Sequence, residues 1–542
     1  MIFLSTLLLA VLITIFLTPM LSFLAVRFNA VDIPSERKIH TRPIPRIGGI
    51  AMACGAFAPL LFWNYANSFV ASYLGGAAVL VFFGLLDDLR DLSPTTKLFG
   101  QIIAALIAIF VGGVEIRSLG MLLPDGYQLP FFISLPLTLV AIVGATNAIN
   151  LADGLDGLAG GICLLVFTGI GYLSYISGNM VVGLISIALA GVIFGFLRFN
   201  THPASIFMGD AGSQFLGYSA GMLSIALTQG DRILSPVLPL LLLGIPILDT
   251  LTVMITRIAH GRSPFSADKN HFHHHLLRLG LHHSFSVVLI YFLQTLLVLT
   301  AILSRYQSDW TLLGGYVVFS ATVLLLFDRA RRNDWQPQRL DVFNLRLAGR
   351  LRVLKQKGTV IRATFPLFEF GIPLLALFTC WIAEAIPPYT TPGAGMLALA
   401  IILTWVFFRK RLEQVLRIAL YLLIPFAVYF SGERVPSWLV GHWNSFYNML
   451  FGLLALLIVM ISKFSRRQNG FKSSPMDFLI IILAVAVPNM PDQFLHEYRV
   501  GLIAAKIIML YFSYEVLLAE LRGKLNTVAG FTVVSLLVLA IG

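Results

Sequence analysis

Long apolar runs recur along almost the whole chain and are separated by short polar segments. A helix needs about 17 to 25 apolar residues to cross a hydrocarbon core about 30 Å thick, and it satisfies its own backbone hydrogen bonds within lipid. The pattern therefore predicts an all-α, polytopic membrane protein with about eleven transmembrane helices in its first part. The predicted spans are residues 1–26, 47–66, 69–86, 97–113, 131–149, 157–176, 180–197, 211–228, 235–257, 285–304 and 311–327.

The later part of the chain adds about six or seven apolar runs. A polar, strongly basic stretch at residues 331–362 precedes them and is typical of a cytoplasmic connector that lies against anionic headgroups. We therefore expect a membrane domain at residues 1–330, this connector, and a C-terminal transmembrane module of unknown function at residues 363–542. The later predicted runs are residues 363–386, 393–408, 413–430, 445–462, 477–489, 500–519 and 526–541.

The composition agrees with a membrane protein, since 58% of the residues are hydrophobic and 12% are charged, with a mean hydropathy of +0.86. The net charge of +12 does not predict a nucleic-acid partner, because the basic residues lie in loops, where they set membrane orientation. The cysteines at 54, 163 and 380 lie within apolar runs without CxxC spacing, which indicates neither a disulfide nor a metal site.

The distribution of basic residues predicts the orientation of the spans. The loop at residues 27–46 is rich in arginine and lysine, whereas the loop after the fourth span carries only Arg117. By the positive-inside rule the first loop is cytoplasmic. Counting spans from it places the N-terminus outside and places four segments on the cytoplasmic side. These segments begin at Asp87, Leu151, Arg198 and Arg257.

The first cytoplasmic segment carries Asp87, Asp88 and Asp91 directly after an apolar run. Carboxylates at the end of a membrane helix are costly unless they are hydrated or bound to a cation. They indicate either an ordinary solvated helix end or a magnesium-diphosphate site, because Mg²⁺ prefers carboxylate oxygens and shares its ligand shell with substrate phosphates. Lys97 would add a contact to phosphate.

The second segment places Asn150, Asp153 and Asp156 three residues apart. On a helix these side chains would share one face, and Gly154 and Gly157 would allow close approach of a ligand or of backbone. A helix-capping turn is the alternative interpretation. So many polar groups at the end of an apolar span favour a ligand or an aqueous cavity.

The third segment contains Asn200 and then Phe207, Gly209 and Asp210, immediately before another apolar span. Asp210 lies at a membrane boundary on the same predicted side as Asp87. If these loops converge, they form a multi-carboxylate site of the kind that holds Mg²⁺ against a transferring phosphate.

The fourth segment is a basic loop that is rich in histidine. Adjacent histidines suggest zinc, but they lack the spacing of the usual structural sites and no cysteine accompanies them. A donor-rich loop that binds diphosphate oxygens is the favoured interpretation. The residues that carry it are Arg262, Lys269, His271, His273, His274 and His275.

These four segments, in this order, resemble the polyprenyl-phosphate N-acetylhexosamine-1-phosphate transferases of the glycosyltransferase family 4 type. The chain has DDxxD at residues 87–91, NxxDGxDGL at 150–158, FMGD at 207–210 and the basic histidine loop at 263–275. The resemblance covers residues 1–330. The histidine loop is similar to that of the bacterial branch that uses UDP-N-acetylglucosamine or a related sugar. Leu276 and Leu277 after His275 argue against the peptidoglycan branch.

The resemblance implies that a UDP-N-acetylhexosamine is the donor, that undecaprenyl phosphate is the acceptor and that UMP is released. It implies dependence on Mg²⁺, or Mn²⁺ in its place, and a bacterial inner-membrane enzyme whose active site faces the cytoplasm. Such an enzyme initiates a cell-surface polysaccharide such as O antigen, teichoic acid or exopolysaccharide, and a homodimer is compatible with it.

The resemblance also implies roles for residues at the matching positions of this chain. Asp87 and Asp88 would lie at the reacting phosphates, and Asp210 would bind the metal together with Asp88. The nucleotide pocket would be lined by Asn150, Asp153, Asp156, Asn200 and Phe207. Contacts to the diphosphate would come from His271, His273 and His274, and the basic side chains of Lys97 and Arg262 are expected from their chemistry to add to them.

The chemistry joins two anions, so positive charge and positioning are needed. Mg²⁺, Lys97 and the histidine loop would supply that charge. Direct attack with Asp87 as proton acceptor is favoured over a phospho-aspartyl intermediate, although the sequence leaves both open. A transporter or flippase of polyprenyl-linked sugars is the alternative function. Its charges would line a path through the bilayer, whereas here they cluster at one face.

Overall fold

A computed structural model describes the chain at residues 2–28, 30–32, 43–64, 67–230, 234–263, 271–333, 359–383, 386–388, 390–433, 442–464, 500–521 and 525–541. The chain forms two compact units, Met1–Pro337 and Gln338–Gly542. The described residues are almost entirely helical, and ten of their helices are long and apolar enough to cross a membrane. The predicted all-α, polytopic architecture is therefore confirmed.

The first unit contains thirteen α-helices and one short antiparallel pair of strands within the described residues. The strands are β1 (Val31–Asp32) and β2 (Ile44–Pro45). The helices are α1 (Ile2–Arg27), α2 (Gly48–Asn64), α3 (Ser68–Arg90), α4 (Pro94–Phe110), α5 (Phe131–Ala152), α6 (Leu158–Ile176), α7 (Met180–Asn200), α8 (Gly209–Thr228), α9 (Leu238–Leu242), α10 (Gly244–Ala259), α11 (Phe272–Arg278), α12 (His283–Leu303) and α13 (Asp309–Arg332).

One predicted span is wrong, because residues 235–257 form the separate helices α9 and α10 rather than one continuous helix. The break exposes backbone groups that would be unpaired in lipid. Gln294 satisfies two of them: its Nε2 donates to the Leu242 carbonyl at 2.7 Å, and its Oε1 accepts from the Ile245 amide at 3.3 Å. The Tyr316 hydroxyl donates to the Gly244 carbonyl at 2.9 Å.

Helices α3, α5 and α7 extend beyond the predicted ends of their spans, and each extension carries polar residues of the motifs. Helix α3 continues to Arg90, so Asp87 and Asp88 lie in its last turn rather than after it. Helix α7 continues through Asn200. Because a helix end places its side chains at fixed angles, these extensions orient the motif residues more tightly than a loop would.

Small residues allow the helices around the motifs to approach closely. A Cβ atom on Gly49 of α2 would lie 2.2 Å from the backbone nitrogen of Gly212 in α8. A Cβ atom on Gly84 of α3 would lie 2.4 Å from the Cα of Ala211. Helices α2 and α3 therefore hold the start of α8 directly by backbone contact, which fixes the position of Asp210.

The second unit contains six helices within the described residues, and an ion pair joins two of them. Arg417 pairs with Glu413 and Glu515, and the Tyr421 hydroxyl donates to Glu515 at 2.8 Å. The predicted run at 477–489 and most of the connector lie outside the described residues. The helices are Thr359–Trp381, Thr390–Phe407, Leu412–Glu433, His442–Phe464, Val500–Leu521 and Asn526–Ile541, with 3₁₀ turns at Gly120–Leu122 in the first unit and Arg409–Arg411 in the second.

Candidate active site

A lysine bridges two carboxylates where three helix ends meet. The Lys97 ammonium, in the first turn of α4, donates to Asp210 Oδ2 at 2.8 Å and also pairs with Asp87. The other oxygen of Asp87 accepts the Leu92 amide at 2.7 Å. Two carboxylates can lie this close because a cation neutralises part of their charge. Lys97 therefore neutralises part of the negative charge of Asp87 and Asp210.

Asp88 positions the start of α8. Its two oxygens accept the backbone N–H groups of Asp210 at 3.0 Å and Ala211 at 3.2 Å. These amides belong to the first turn of a helix, which has no partners of its own and favours negative charge. Gly209 lies in the left-handed region with φ of 67°, and a Cβ atom there would lie 2.3 Å from Asp88. The glycine is therefore required for this approach.

Asn150 completes the surroundings of Asp210. Its Nδ2 donates to Asp210 Oδ1 at 2.9 Å and to the Ser213 hydroxyl at 2.9 Å. Asp210 thus has one oxygen held by Asn150 and the other held by Lys97. The metal roles of Asp210 and Asp88 remain predictions. The chemistry of the donor set fits Mg²⁺, because carboxylate oxygens of Asp87 and Asp210 converge near Lys97 and Mg²⁺ prefers carboxylate oxygens.

A second polar layer lies deeper in the membrane region and was missed by the sequence analysis. Gln101 Nε2 donates to Gln214 at 3.2 Å, and Asn147 Nδ2 donates to Gln101 at 2.8 Å. Gln101 and Gln214 are buried. An amide within an apolar span is costly unless it is paired, so these residues could have been found by looking for intramembrane polar positions.

The segment after Asn150 is a turn, so the expectation that Asn150, Asp153 and Asp156 share one helix face is wrong. Helix α5 ends at Ala152, and α6 begins only after Gly157, whose φ of 80° is left-handed. That conformation interrupts a right-handed helix. The alternative interpretation as a turn at the helix ends is correct. Asp153 and Asp156 lie in this turn and do not share a helix face.

Asp153 lies half-buried in this turn. Burial, followed by the negative charges of Asp210 and Asp156, raises the pKa of Asp153 to about 7, and Arg46 opposes this shift. The Arg46 guanidinium also pairs with Asp32. The position of Arg46 in the sequence indicates only membrane orientation, whereas in the structure its charge lies near Asp153.

Asn200 and Phe207 hold the backbone around the site. The buried Asn200 side chain accepts the Gly157 amide at 3.0 Å and donates to the Ile206 carbonyl at 2.9 Å. The Phe207 amide donates to the Pro45 carbonyl at 2.8 Å, and its carbonyl accepts the Gly48 amide at 3.0 Å. Both predicted nucleotide-pocket residues therefore have a clear positioning contact, and their contact with nucleotide stays a prediction.

The histidine loop reaches the turn through His273. A Cβ atom on Gly154 would lie 2.2 Å from His273 Nε2, so only glycine allows this contact. Burial, followed by the neighbouring histidines, lowers the pKa of His273 to about 3. His273 is therefore neutral near pH 7 and offers hydrogen bonds rather than the positive charge that was expected of it.

His271 has an acidic partner that the sequence analysis did not identify. Its Nδ1 lies 3.0 Å from Asp249 Oδ2, and Asp249 Oδ1 accepts the Phe272 amide at 2.8 Å. His271 and Asp249 are both buried. Arg262 is exposed, whereas Lys269 lies outside the described residues. The loop is thus anchored at its C-terminal end by a residue of α10, twenty-two positions earlier.

The fold and the site define a multi-pass membrane protein with a lysine-bridged acidic site at one end of its helices. The chain matches the family model of Glycosyl transferase family 4 over residues 70–228, which include three of the four motifs. It is 35% identical over 321 residues to a probable undecaprenyl-phosphate N-acetylglucosaminyl 1-phosphate transferase of Bacillus subtilis, covering 57% of this chain and 86% of that protein.

Two further relatives have similar coverage. The chain is 32% identical to an undecaprenyl-phosphate alpha-N-acetylglucosaminyl 1-phosphate transferase of Yersinia pestis, covering 58% of this chain and 87% of that protein. It is 34% identical to a decaprenyl-phosphate N-acetylglucosaminephosphotransferase of Mycolicibacterium smegmatis, covering 60% of this chain and 87% of that protein. The chain belongs to glycosyl transferase family 4.

Proposed function

We propose that the protein transfers N-acetylglucosamine 1-phosphate from UDP-N-acetylglucosamine to undecaprenyl phosphate at the cytoplasmic face of a bacterial inner membrane, and so initiates a cell-surface polysaccharide. The observation that carries this proposal is the Lys97 ammonium between Asp87 and Asp210. It places a cation and carboxylates at a membrane boundary, where a lipid phosphate and a nucleotide diphosphate can meet. The names of the three relatives support the same donor and acceptor classes.

In the proposed reaction, an oxygen of the acceptor phosphate attacks the β-phosphorus of the donor. A new P–O–P bond forms, and the bond between the β-phosphorus and the bridging oxygen breaks, so that UMP leaves with the electron pair. Lys97 would stabilise the charge that develops on the phosphoryl oxygens. Asn150 and Asp88 hold Asp210 in place, so that little reorganisation accompanies the reaction.

Mg²⁺ is the proposed cofactor, with Mn²⁺ as a substitute, and it would neutralise phosphate charge when bound. Asp210 and Asp87 are the residues that would hold it, since their carboxylate oxygens lie close together around Lys97. Asp88 would contribute mainly by holding the start of α8, because both of its oxygens accept backbone amides there. Asp87 would accept the proton if the acceptor phosphate arrives as a monoanion.

We expect the purified full-length protein to exchange labelled UMP into UDP-N-acetylglucosamine only when undecaprenyl phosphate is present. Exchange requires the reverse of the transfer step, so neither a transporter nor a scaffold produces it. The assay should be repeated with the galacto epimer and with UDP-N-acetylmuramoyl-pentapeptide. We expect the N-acetylglucosamine donor to be favoured, and exclusive use of the pentapeptide donor would show that the proposed substrate is wrong.

We also predict that the first unit is sufficient for transfer. All four motifs precede residue 330, and the acidic site is formed by α3, α4, α5 and α8. A truncated protein ending at Asn333 is expected to make the lipid-linked sugar in membranes at a rate within about threefold of the full chain, as expected for an independent domain. Label transfer into the lipid fraction is the measurement. Stable insertion without product would mean that the later helices support the site.

A further inference from the structure

Three amide side chains from three helices meet beneath the acidic site and form an amide cluster. Its members are Gln101 in α4, Asn147 in α5 and Gln214 in α8. Gln101 and Gln214 are buried, and Asn147 is half-buried. None of the three belongs to the four sequence motifs. An amide in an apolar span needs a partner, so a function must be sought for the cluster as a whole.

Each member of the amide cluster lies one helical turn below a residue of the acidic site on the same helix. Side chains three or four positions apart lie on one face of a helix. The same three helices therefore meet at two levels, once through the acidic site and once through the amides. The pairs are Lys97 with Gln101 in α4, Asn150 with Asn147 in α5, and Asp210 with Gln214 in α8.

Hydrogen bonds within the amide cluster join all three helices. Gln101 Nε2 donates to Asn147 Oδ1 at 3.3 Å and to Gln214 Oε1 at 3.2 Å. Gln101 Oε1 accepts from Asn147 Nδ2 at 2.8 Å, so a reciprocal pair of bonds joins α4 to α5. Asn147 Nδ2 also donates to the Val143 carbonyl at 2.9 Å, which fixes the orientation of this amide. Gln101 is thus the member that contacts both of the other helices.

The packing below the amide cluster brings α5 and α8 close together through small groups. A Cβ atom on Gly217 would lie 2.7 Å from the Thr146 Cα, and one on Gly221 would lie 2.9 Å from the Ala145 Cβ. Such packing allows close approach, but apolar contacts are not directional. A buried polar residue at a helix interface specifies register, because a shifted register leaves it unpaired. The amide cluster therefore fixes how α4 lies against α5 and α8.

We propose that Gln101 is a positioning residue for sugar-phosphate transfer, because the amide cluster holds Lys97 of α4 against Asp210 of α8. This inference rests on the proposed transfer function. Gln101 acts through Lys97, since its own hydrogen bonds go to Asn147 and Gln214. The Lys97 ammonium lies 2.8 Å from Asp210 Oδ2. A slip of α4 by one residue would move Lys97 by about 1.5 Å, and a displacement of about 1 Å can lower a rate about 100-fold.

The first test measures transfer by full-length Gln101→Leu, which keeps a similar side-chain volume but makes no hydrogen bond. We expect kcat to fall at least about tenfold while KM for UDP-N-acetylglucosamine stays within about threefold, because Lys97 acts on charge that develops in the transition state. In a Lys97→Gln background the same change should lower kcat by less than about twofold, since the group that Gln101 positions is absent. Fully additive losses would overturn the proposal.

Two further variants separate positioning from stability. Tyr73→Phe removes a buried hydrogen bond between α3 and α8, where the Tyr73 and Ser219 hydroxyls lie 2.9 Å apart. Ser219 is about 14 Å along α8 from Asp210, so kcat should stay within about twofold. Replacement of the whole amide cluster by leucine leaves no amide unpaired, so this variant should fold and still lose activity. A tenfold loss in Tyr73→Phe, or wild-type kcat in folded Gln101→Leu or the folded triple variant, would contradict the positioning role.

A third measurement does not depend on transfer activity. Acetylation of Lys97 by a water-soluble amine reagent is followed by peptide mass spectrometry, with the exposed Lys410 as the internal control. An ammonium paired with two carboxylates reacts slowly, so Lys97 should react at least about threefold faster in Gln101→Leu than in the wild type. Unchanged Lys97 reactivity in folded Gln101→Leu would overturn the positioning role. Increased reactivity without transfer by the wild-type protein would support that role and contradict only the proposed function.

Discussion

Asp210→Asn is expected to lower the rate of sugar-phosphate transfer by about 10³-fold or more, because it removes a carboxylate charge where the proposed metal and the reacting phosphates meet. The loss should be greatest at limiting Mg²⁺, and the Mg²⁺ concentration for half-maximal activity should rise. In the native protein Lys97 and Asn150 hold the two oxygens of Asp210. The measurement is lipid-linked sugar formed per enzyme over a Mg²⁺ series.

The variant should remain folded, because the Asp210 side chain is 26% exposed and asparagine has the same shape. Thermal unfolding and elution in size-exclusion chromatography check this point. Asp125→Asn is a control with the same chemical change on an exposed loop, and it should leave the rate unchanged. Wild-type turnover by folded Asp210→Asn at limiting Mg²⁺ would contradict the assignment.

Lys97→Gln is expected to lower the transfer rate by about 10²- to 10³-fold, the usual effect of removing one preorganised group that stabilises developing charge. Lys97→Gln should lower the Mg²⁺ concentration for half-maximal activity, whereas Asp210→Asn should raise it. Without the ammonium, Asp87 and Asp210 face each other as like charges, so they should attract a divalent cation more strongly. We therefore expect a lower rate together with a lower Mg²⁺ requirement.

The comparison with Lys97→Arg separates charge from geometry. A guanidinium keeps the positive charge but presents a planar fork in place of a compact ammonium, so partial activity is expected. Both variants are assayed over the same Mg²⁺ series as the wild type. If Lys97→Gln keeps the wild-type rate, the lysine serves only to neutralise the two aspartates, and the proposed phosphate contact is wrong.

The placement of the spans could be predicted from the sequence, because the thickness of a bilayer sets the length of an apolar helix. The exception at residues 235–257 shows the limit of that argument. The helix breaks between Leu242 and Gly244, where side chains of Gln294 and Tyr316 replace the missing backbone partners. Those partners are about fifty or more residues away, and no local pattern indicates that they will be present.

The composition of the candidate site could also be predicted in large part. The motifs at residues 87–91, 150–158 and 207–210 contain acids at the ends of apolar runs, where a charge needs a ligand or water. The different roles of the individual polar residues within these motifs could not be predicted from the sequence. Asp88 caps α8, Asp156 turns toward His202, and Asn200 lies buried beneath the turn.

The sequence by itself thus determined the helical membrane architecture, the family and the types of side chain at the site, because hydrophobic length and charge act locally along the chain. The tertiary structure alone decided which of those side chains meet. The contact between Lys97 and Asp210 joins residues 113 positions apart, and Asp249 supports His271 from another helix. Such pairs form only when helices pack at distances that their small residues permit, and that packing depends on the whole bundle rather than on any one segment.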